Sequence, residues 1–149
     1  MNGGYMQVAE IEIIYKPKVK ASDRPQIQTS RQAYEIVKDL FPDMEHRERM
    51  LLLVLNRNNK VLGSYVVSVG GISGTVCDPK IIFQVCLKAN GSALILAHNH
   101  PSGSTKPSKN DLLLSQKIKE GSKVLDMQLL DHLIITDEQY LSMADEGML

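Results

Sequence analysis

A chain of 149 residues is long enough for one domain with a real core, and its 43% hydrophobic and 23% charged content is ordinary for a soluble globular protein. Seventeen basic residues against seventeen acidic ones leave no net charge, which argues against a protein that lives by wrapping nucleic acid. No apolar run is long enough to cross a bilayer and no basic-then-apolar leader opens the sequence, so the cytoplasm is the expected location, with no membrane partner.

Taken in chain order, "MQVAEIEIIY" (6–15) alternates as a strand does, and residues 16–28, with Pro17 and Pro25 among charges, read as a connector. Thr29 with Gln32 three residues later has capping-box spacing and opens a helix, "RQAYEIVKDLF", that ends before Pro42. "ERMLLLVLN" (48–56) and "VLGSYVVSV" (61–69) are β-rich runs joined by the polar "RNNK", which predicts a hairpin. "GGISGTV" (70–76) reads as a glycine-rich loop or bulged edge; Gly70, Gly71 and Gly74 would let another backbone approach or simply form a bulge.

Asp78-Pro79 supplies an N-cap and an N1 proline for a helix stopping near Asn90-Gly91. "SALILA" (92–97) is nearly all apolar, as in a central strand covered on both faces, and it delivers the chain to His98. Ser108 opens a further helix that should stop at Gly121, "MQLLDHLIIT" (127–136) is another strand, and Asp137 should start a last short helix, "EQYLSMADE". This order predicts an α/β fold, a single α-β-α sandwich around a mixed β-sheet with helices on both faces. Cys77 and Cys86 fit no Cys-x-x-Cys pattern and read as buried free thiols.

The chemistry is concentrated in "HNHPSGSTKPSKND" (98–111). In a strand, residues i and i+2 point the same way about 6.5 to 7 Å apart. His98 and His100 can therefore aim at one point while Asn99 points away. Pro101 helps keep His100 extended. A zinc ion takes nitrogen ligands at about 2.0 to 2.1 Å, and Asp111 supplies a third ligand if the 101–107 loop curls back. Two histidines and a carboxylate leave a fourth position for water, as in a catalytic site, and the ion lowers that water's pKa towards about 7. Taken singly, His-x-His usually means nothing, and Ser108-x-x-Asp111 is a helix-cap spacing. The joint spacing carries the metal reading: His-x-His, seven residues, Ser, two residues, Asp.

That joint pattern resembles the His-x-His-x(7)-Ser-x-x-Asp signature of the JAMM (JAB/MPN) metalloprotease family. "LILAHNHPSGSTKPSKND" and "LLDHLIIT" are similar to its RadC branch, associated with DNA repair, over roughly residues 28–149. The leading "VAEIEIIYKPKVK" is similar to short RadC-like proteins of Bacteroides-type bacteria and their mobile elements. The organisation expected is an N-terminal strand and connector (1–27) followed by a RadC-like domain (28–149). The resemblance implies a cytidine-deaminase-like fold and a Zn2+ cofactor on His98, His100 and Asp111. It also implies an oxyanion-steadying Ser108 and a glutamate general base.

Glu48 is favoured as that base over Glu45, because it stands next to its strand as the RadC glutamate does. The activity implied is a zinc metallopeptidase or isopeptidase in which metal-activated water attacks an amide carbonyl of a peptide or protein substrate. The alternative is a non-catalytic binding module in DNA repair or recombination complexes. Longer RadC proteins carry a helix-hairpin-helix-like N-terminal region for which this sequence leaves no room, so weak or indirect DNA association is the most that is expected. His132 reads as a core histidine, or one bonded to a carbonyl or carboxylate next to the site, rather than a fourth ligand, and His46 as surface. Ser102 and Ser104 lack a base partner for nucleophilic work. Contiguous "HNH" is not the dispersed nuclease motif of that name, and the sequence lacks both the His-x-Glu and Pro-Cys-x-x-Cys of a zinc deaminase and a phosphate-cradling loop.

Overall fold

The computed structural model describes residues 7–70 and 77–149. Most of the reading of residues 70–76, including Gly71 and Gly74, lies outside them.

Local chemistry sets most element starts. The Thr29 hydroxyl accepts from the Gln32 amide and the Gln32 side chain accepts from the Thr29 amide, closing the capping box of α1 (Ser30–Val37). A single 3₁₀ turn, Lys38–Leu40, follows. β1 (Arg49–Leu55) and β2 (Val61–Val69) form the expected antiparallel hairpin. In its turn, Asn59 takes the left-handed conformation and the Asn56 side chain accepts from the amides of Asn58 and Lys60. The Asp78 carboxylate accepts from the Lys80 amide to start α2 (Pro79–Lys88).

β3 (Ala93–Asn99) is buried along its whole length and carries His98 within it. α3 (Lys109–Val124), β4 (Gln128–Ile135) and β5 (Tyr140–Ser142) complete the chain. The strands form one mixed sheet in the order β2-β1-β3-β4-β5, with β3 antiparallel to β1 and parallel to β4.

Side-chain alternation along the strands divides the core into two. Leu51, Leu53, Leu55, Ile95 and Ala97 face α1, around Tyr34 and Val37. Met50, Leu52, Val54, Leu94 and Leu96 face α2 and α3, around Ile82, Cys86 and Ile118. The fold is thus α/β with helices on both faces of a mixed sheet. Both cysteines are free, Cys86 buried and Cys77 half-buried. Burial pushes the Cys86 thiol up to about 12, and burial with the Asp78 charge pushes Cys77 up to about 11.

Three expectations are corrected. Residues 7–15 form no strand: Val8 and Ile11 are about nine-tenths exposed, and the stretch is tied down at its end by Tyr15, which packs against the core on the α2 and α3 side and donates its hydroxyl to the Leu62 carbonyl at 2.7 Å. Alternation makes a segment able to pair, but a strand needs a ladder partner, and this stretch has none among the described residues. α3 continues past Gly121, because that glycine leaves the space the Phe83 ring of α2 occupies; a Cβ there would lie 2.8 Å from the ring. The helix stops instead before Asp126, at φ 54°.

Residues 138–146 are not a helix. Thr136 and Gln139 close a turn through their backbones at 2.9 Å, and the chain returns as β5 beside β4. Distant contacts decide this: Tyr140 stacks on Tyr34 with ring centroids 4.6 Å apart, and the Asp131 carboxylate accepts from the Ser142 hydroxyl and the Ala144 amide.

Candidate metal centre

The sheet brings three chain segments to one edge. β3 ends there, β1 begins there beside it with Met50 opposite His98, and α3 starts there after the 101–107 loop. His98 lies on the same face as Leu94 and Leu96, towards α3, and is wholly buried. One ligand atom from each of Glu48, His98, His100 and Asp111 lies within 4.8 Å of the others. The Nε2 atoms of His98 and His100 are 2.9 Å apart. Asp111 reaches His98 Nε2 with Oδ1 at 3.2 Å and His100 Nε2 with Oδ2 at 3.3 Å, and Glu48 Oε1 is 3.7 Å from His98 Nε2.

These donors fit a small divalent cation. Two ligands about 2.0 to 2.1 Å from a tetrahedral ion stand about 3.3 Å apart. Each Asp111 oxygen stands at that separation from one histidine, Oδ1 from His98 and Oδ2 from His100, and the histidine pair would open by about half an ångström. The His100 Nδ1–H donates to the Ser104 carbonyl at 2.8 Å, and since a carbonyl only accepts, Nε2 is the atom left for the site. The loop that supplies this carbonyl is built locally. Gly103 turns it at φ 85°, where a side chain would be strained, and the hydroxyls of Ser102 and Ser104 accept from the amides of Ser104 and Lys106.

The electrostatics follow from burial and proximity. Burial pushes the Asp111 carboxyl up, but hydrogen bonds to His100 and His98, the His98 charge and the Ser108 amide together hold it far below the usual carboxylate range. The Asp111 hydrogen bond raises the His100 pKa against the opposing effect of burial. Glu48 is raised chiefly by burial, with the nearby histidines pulling the other way. His132, fully enclosed, is held well below the ordinary histidine value by burial and then by the His98 charge, so it is neutral.

Glu45 is exposed in the turn before β1 and lies outside the four-residue group, whereas the Glu48 side chain is 15% exposed within it. Ser108 is exposed; its hydroxyl oxygen accepts from the Asp111 amide at 3.0 Å while Asp111 Oδ2 accepts from the Ser108 amide at 2.8 Å, a capping box that holds the carboxylate still. His46 is exposed. His132 sits behind the cluster and outside the four-residue group, and its ring nitrogens meet an imidazole and a hydroxyl instead of the expected carbonyl or carboxylate: Nε2 is 2.7 Å from His98 Nδ1 and Nδ1 is 2.6 Å from Ser115 Oγ. A cleft of about 310 Å³, lined by Met44, Glu45, His100, Ser102 and Gln139, opens beside His100.

Two residues had no role from sequence. Buried Asn99 donates to the carbonyls of Met44 and Arg47 and accepts from the Arg49 amide, all at 2.8 Å, and so pins the turn that delivers Glu48. Ser115 contacts His132 Nδ1 at 2.6 Å. The only available sequence signal was a polar residue on the buried face of each element, which does not reveal its partner.

Comparisons with known proteins agree with this geometry. A family model described as a RadC-like JAB domain matches residues 27–148. A UPF0758 protein of Flavobacterium johnsoniae is 41% identical over 122 residues, covering 82% of this chain and 53% of that protein. One from Porphyromonas gingivalis is 39% identical over 134 residues, 89% of this chain and 59% of the relative. One from Aquifex aeolicus is 33% identical over 144 residues, 97% and 62% respectively. The chain thus spans little more than half the length of these relatives. With a mixed sheet covered on both faces and a His/Asp/Glu cluster able to hold a metal at its edge, the chain belongs to the RadC-like JAB domain family.

Proposed function

We propose that this protein is a zinc-dependent peptidase or isopeptidase, hydrolysing an amide bond in a peptide or protein substrate. The observation that carries this reading is the convergence of two imidazole nitrogens and two carboxylates within 4.8 Å, with Glu48 the member set furthest from His98. His98, His100 and Asp111 hold the ion, and Glu48 is left to handle protons. When bound, zinc supplies Lewis acidity that polarises a carbonyl and brings the pKa of a water to about 7.

Glu48 takes a proton from the attacking water at a carboxylate oxygen and returns it to the leaving amide nitrogen. Burial raises its pKa above the ordinary carboxylate value, the direction that suits a group which must hold a proton and then give it up. The exposed Ser108 hydroxyl has no acceptor for its own proton among the described residues, so that proton is free to steady the developing oxyanion. The cleft beside His100 gives the substrate chain an approach to the open side, and the buried back of the site keeps water from the ligands.

The test uses untagged protein. Metal analysis should find about one zinc per chain, and a peptide and isopeptide library should reveal chelator-sensitive hydrolysis. Glu48→Gln should keep the zinc and lose about 10²- to 10⁴-fold in kcat, whereas His98→Ala should lose the metal. Absence of zinc from the wild type, or full activity in His98→Ala, would falsify the assignment.

A further inference from the structure

We propose that Ser115 and His132 form a positioning relay that sets the tautomer of His98 and so the affinity of the site for its metal. The proposal rests on the metal reading above. A metal-ligating histidine ordinarily donates its second ring N–H to a carbonyl or carboxylate, groups that can only accept. His100 does this through Ser104. His98 instead turns Nδ1 to another imidazole, His132 Nε2, at 2.7 Å. A neutral imidazole both donates and accepts, so His132 alone leaves the His98 proton undecided.

The next contact decides it. Ser115 Oγ lies 2.6 Å from His132 Nδ1, 2.9 Å from the Asp111 carbonyl and 3.2 Å from Met143 Sδ. The hydroxyl has one proton, and the latter two neighbours only accept, so both draw it away from His132. The carbonyl bond is the familiar back-bond of a helical serine to the residue four positions earlier. With that proton engaged and the ion bound, Ser115 Oγ accepts from His132 Nδ1–H, His132 Nε2 accepts from His98 Nδ1–H, and the His98 Nε2 lone pair is left for the metal in place of the hydrogen bond that Nε2 gives Asp111 without it.

The reverse order, with Ser115 donating to His132, ends in a proton on His98 Nε2, aimed at the place the ion must take. Ser115, His132 and His98 are each at most 1% exposed, so the chain of contacts is shut off from bulk solvent. The relay also closes on itself: the Asp111 main chain orients its first member, and the Asp111 side chain meets its last at 3.2 Å.

The experiment is a zinc competition titration, scored per folded site, with ¹⁵N-histidine NMR of the zinc-loaded wild type. His98 and His132 should both be protonated at Nδ1. Ser115→Ala should weaken zinc binding about tenfold. Ser115→Thr, which keeps a hydroxyl able to back-bond, should recover most of that loss. His132→Phe should weaken it further; because that variant can fail to fold, the wild-type tautomers stand as an independent test. A zinc-loaded His132 protonated at Nε2, or a Ser115→Ala protein that binds zinc like wild type, overturns the relay and leaves the metal site standing. Wild-type protein that takes up no zinc overturns both.

Discussion

At the level of single residues, the side chains around the site differ in what they demand of their surroundings. His98 is enclosed and its orientation is decided by its neighbours, whereas His100 sits at the rim with its side chain 15% exposed and meets solvent protons directly. Metal binding needs neutral imidazole, and the Asp111 hydrogen bond raises the His100 pKa above the usual value of about 6.5. A raised pKa means that protons begin to compete with the ion at a higher pH. Zinc affinity should therefore start to fall, as pH is lowered from 8, before pH 6.5 is reached; a competition titration between pH 8 and 5 locates the bend. Without metal the sign for stability is opposite. The charged His100–Asp111 pair contributes fully below about pH 6.5 and is lost as pH rises through the elevated His100 value.

At the level of elements, helix starts are decided within a few residues and helix ends are not. Thr29, Asp78 and Ser108 each satisfy free amides of the turn that follows them, so their role was legible from spacing alone. Gly91 and Gly121 look alike in sequence but act differently, because what matters is the neighbour across the space. Gly121 accommodates a ring edge from α2, and the helix runs through it. At Gly91 an added Cβ would come within 2.4 Å of Val54 Cγ1 and 3.2 Å of the Cys86 carbonyl. Val54 is 1% exposed and has no room to yield. Gly91→Ala should therefore cost about 1 to 3 kcal/mol in urea unfolding, although alanine is ordinarily the better residue outside a strained turn.

Across the whole molecule, the sheet is the frame that brings the candidate metal ligands together from remote sequence positions. Glu48 and Asp111 are 63 positions apart (111 − 48), and they meet because β1 runs antiparallel to β3 while α3 begins where β3 ends. Residues 7–14 take no part in this frame and are exposed throughout. Replacing Val8 and Ile11 by serine should leave metal uptake by the proposed site unchanged and move the melting temperature by less than about 2 °C, since changes at uncommitted surface usually stay within about 0.5 kcal/mol. A larger drop in a thermal melt would show that this stretch contributes to the core.

By itself, the sequence determined what depends on near neighbours: the capped helices, the β1–β2 hairpin, the apolar run of β3, and the spacing of His98, His100, Ser108 and Asp111. Alternation and capping are local physics, and they can be read wherever the chain's own spacing sets the geometry. Only the tertiary structure decided that residues 7–15 find no ladder partner among the described residues and that residues 140–142 pair with β4 instead of coiling. It also decided that Asn99 and Ser115, anonymous in the sequence, hold Glu48 and His132. Those outcomes turn on which groups lie opposite one another after folding, and a hydrogen bond or packed ring across dozens of residues outweighs the local preference of the segment that makes it.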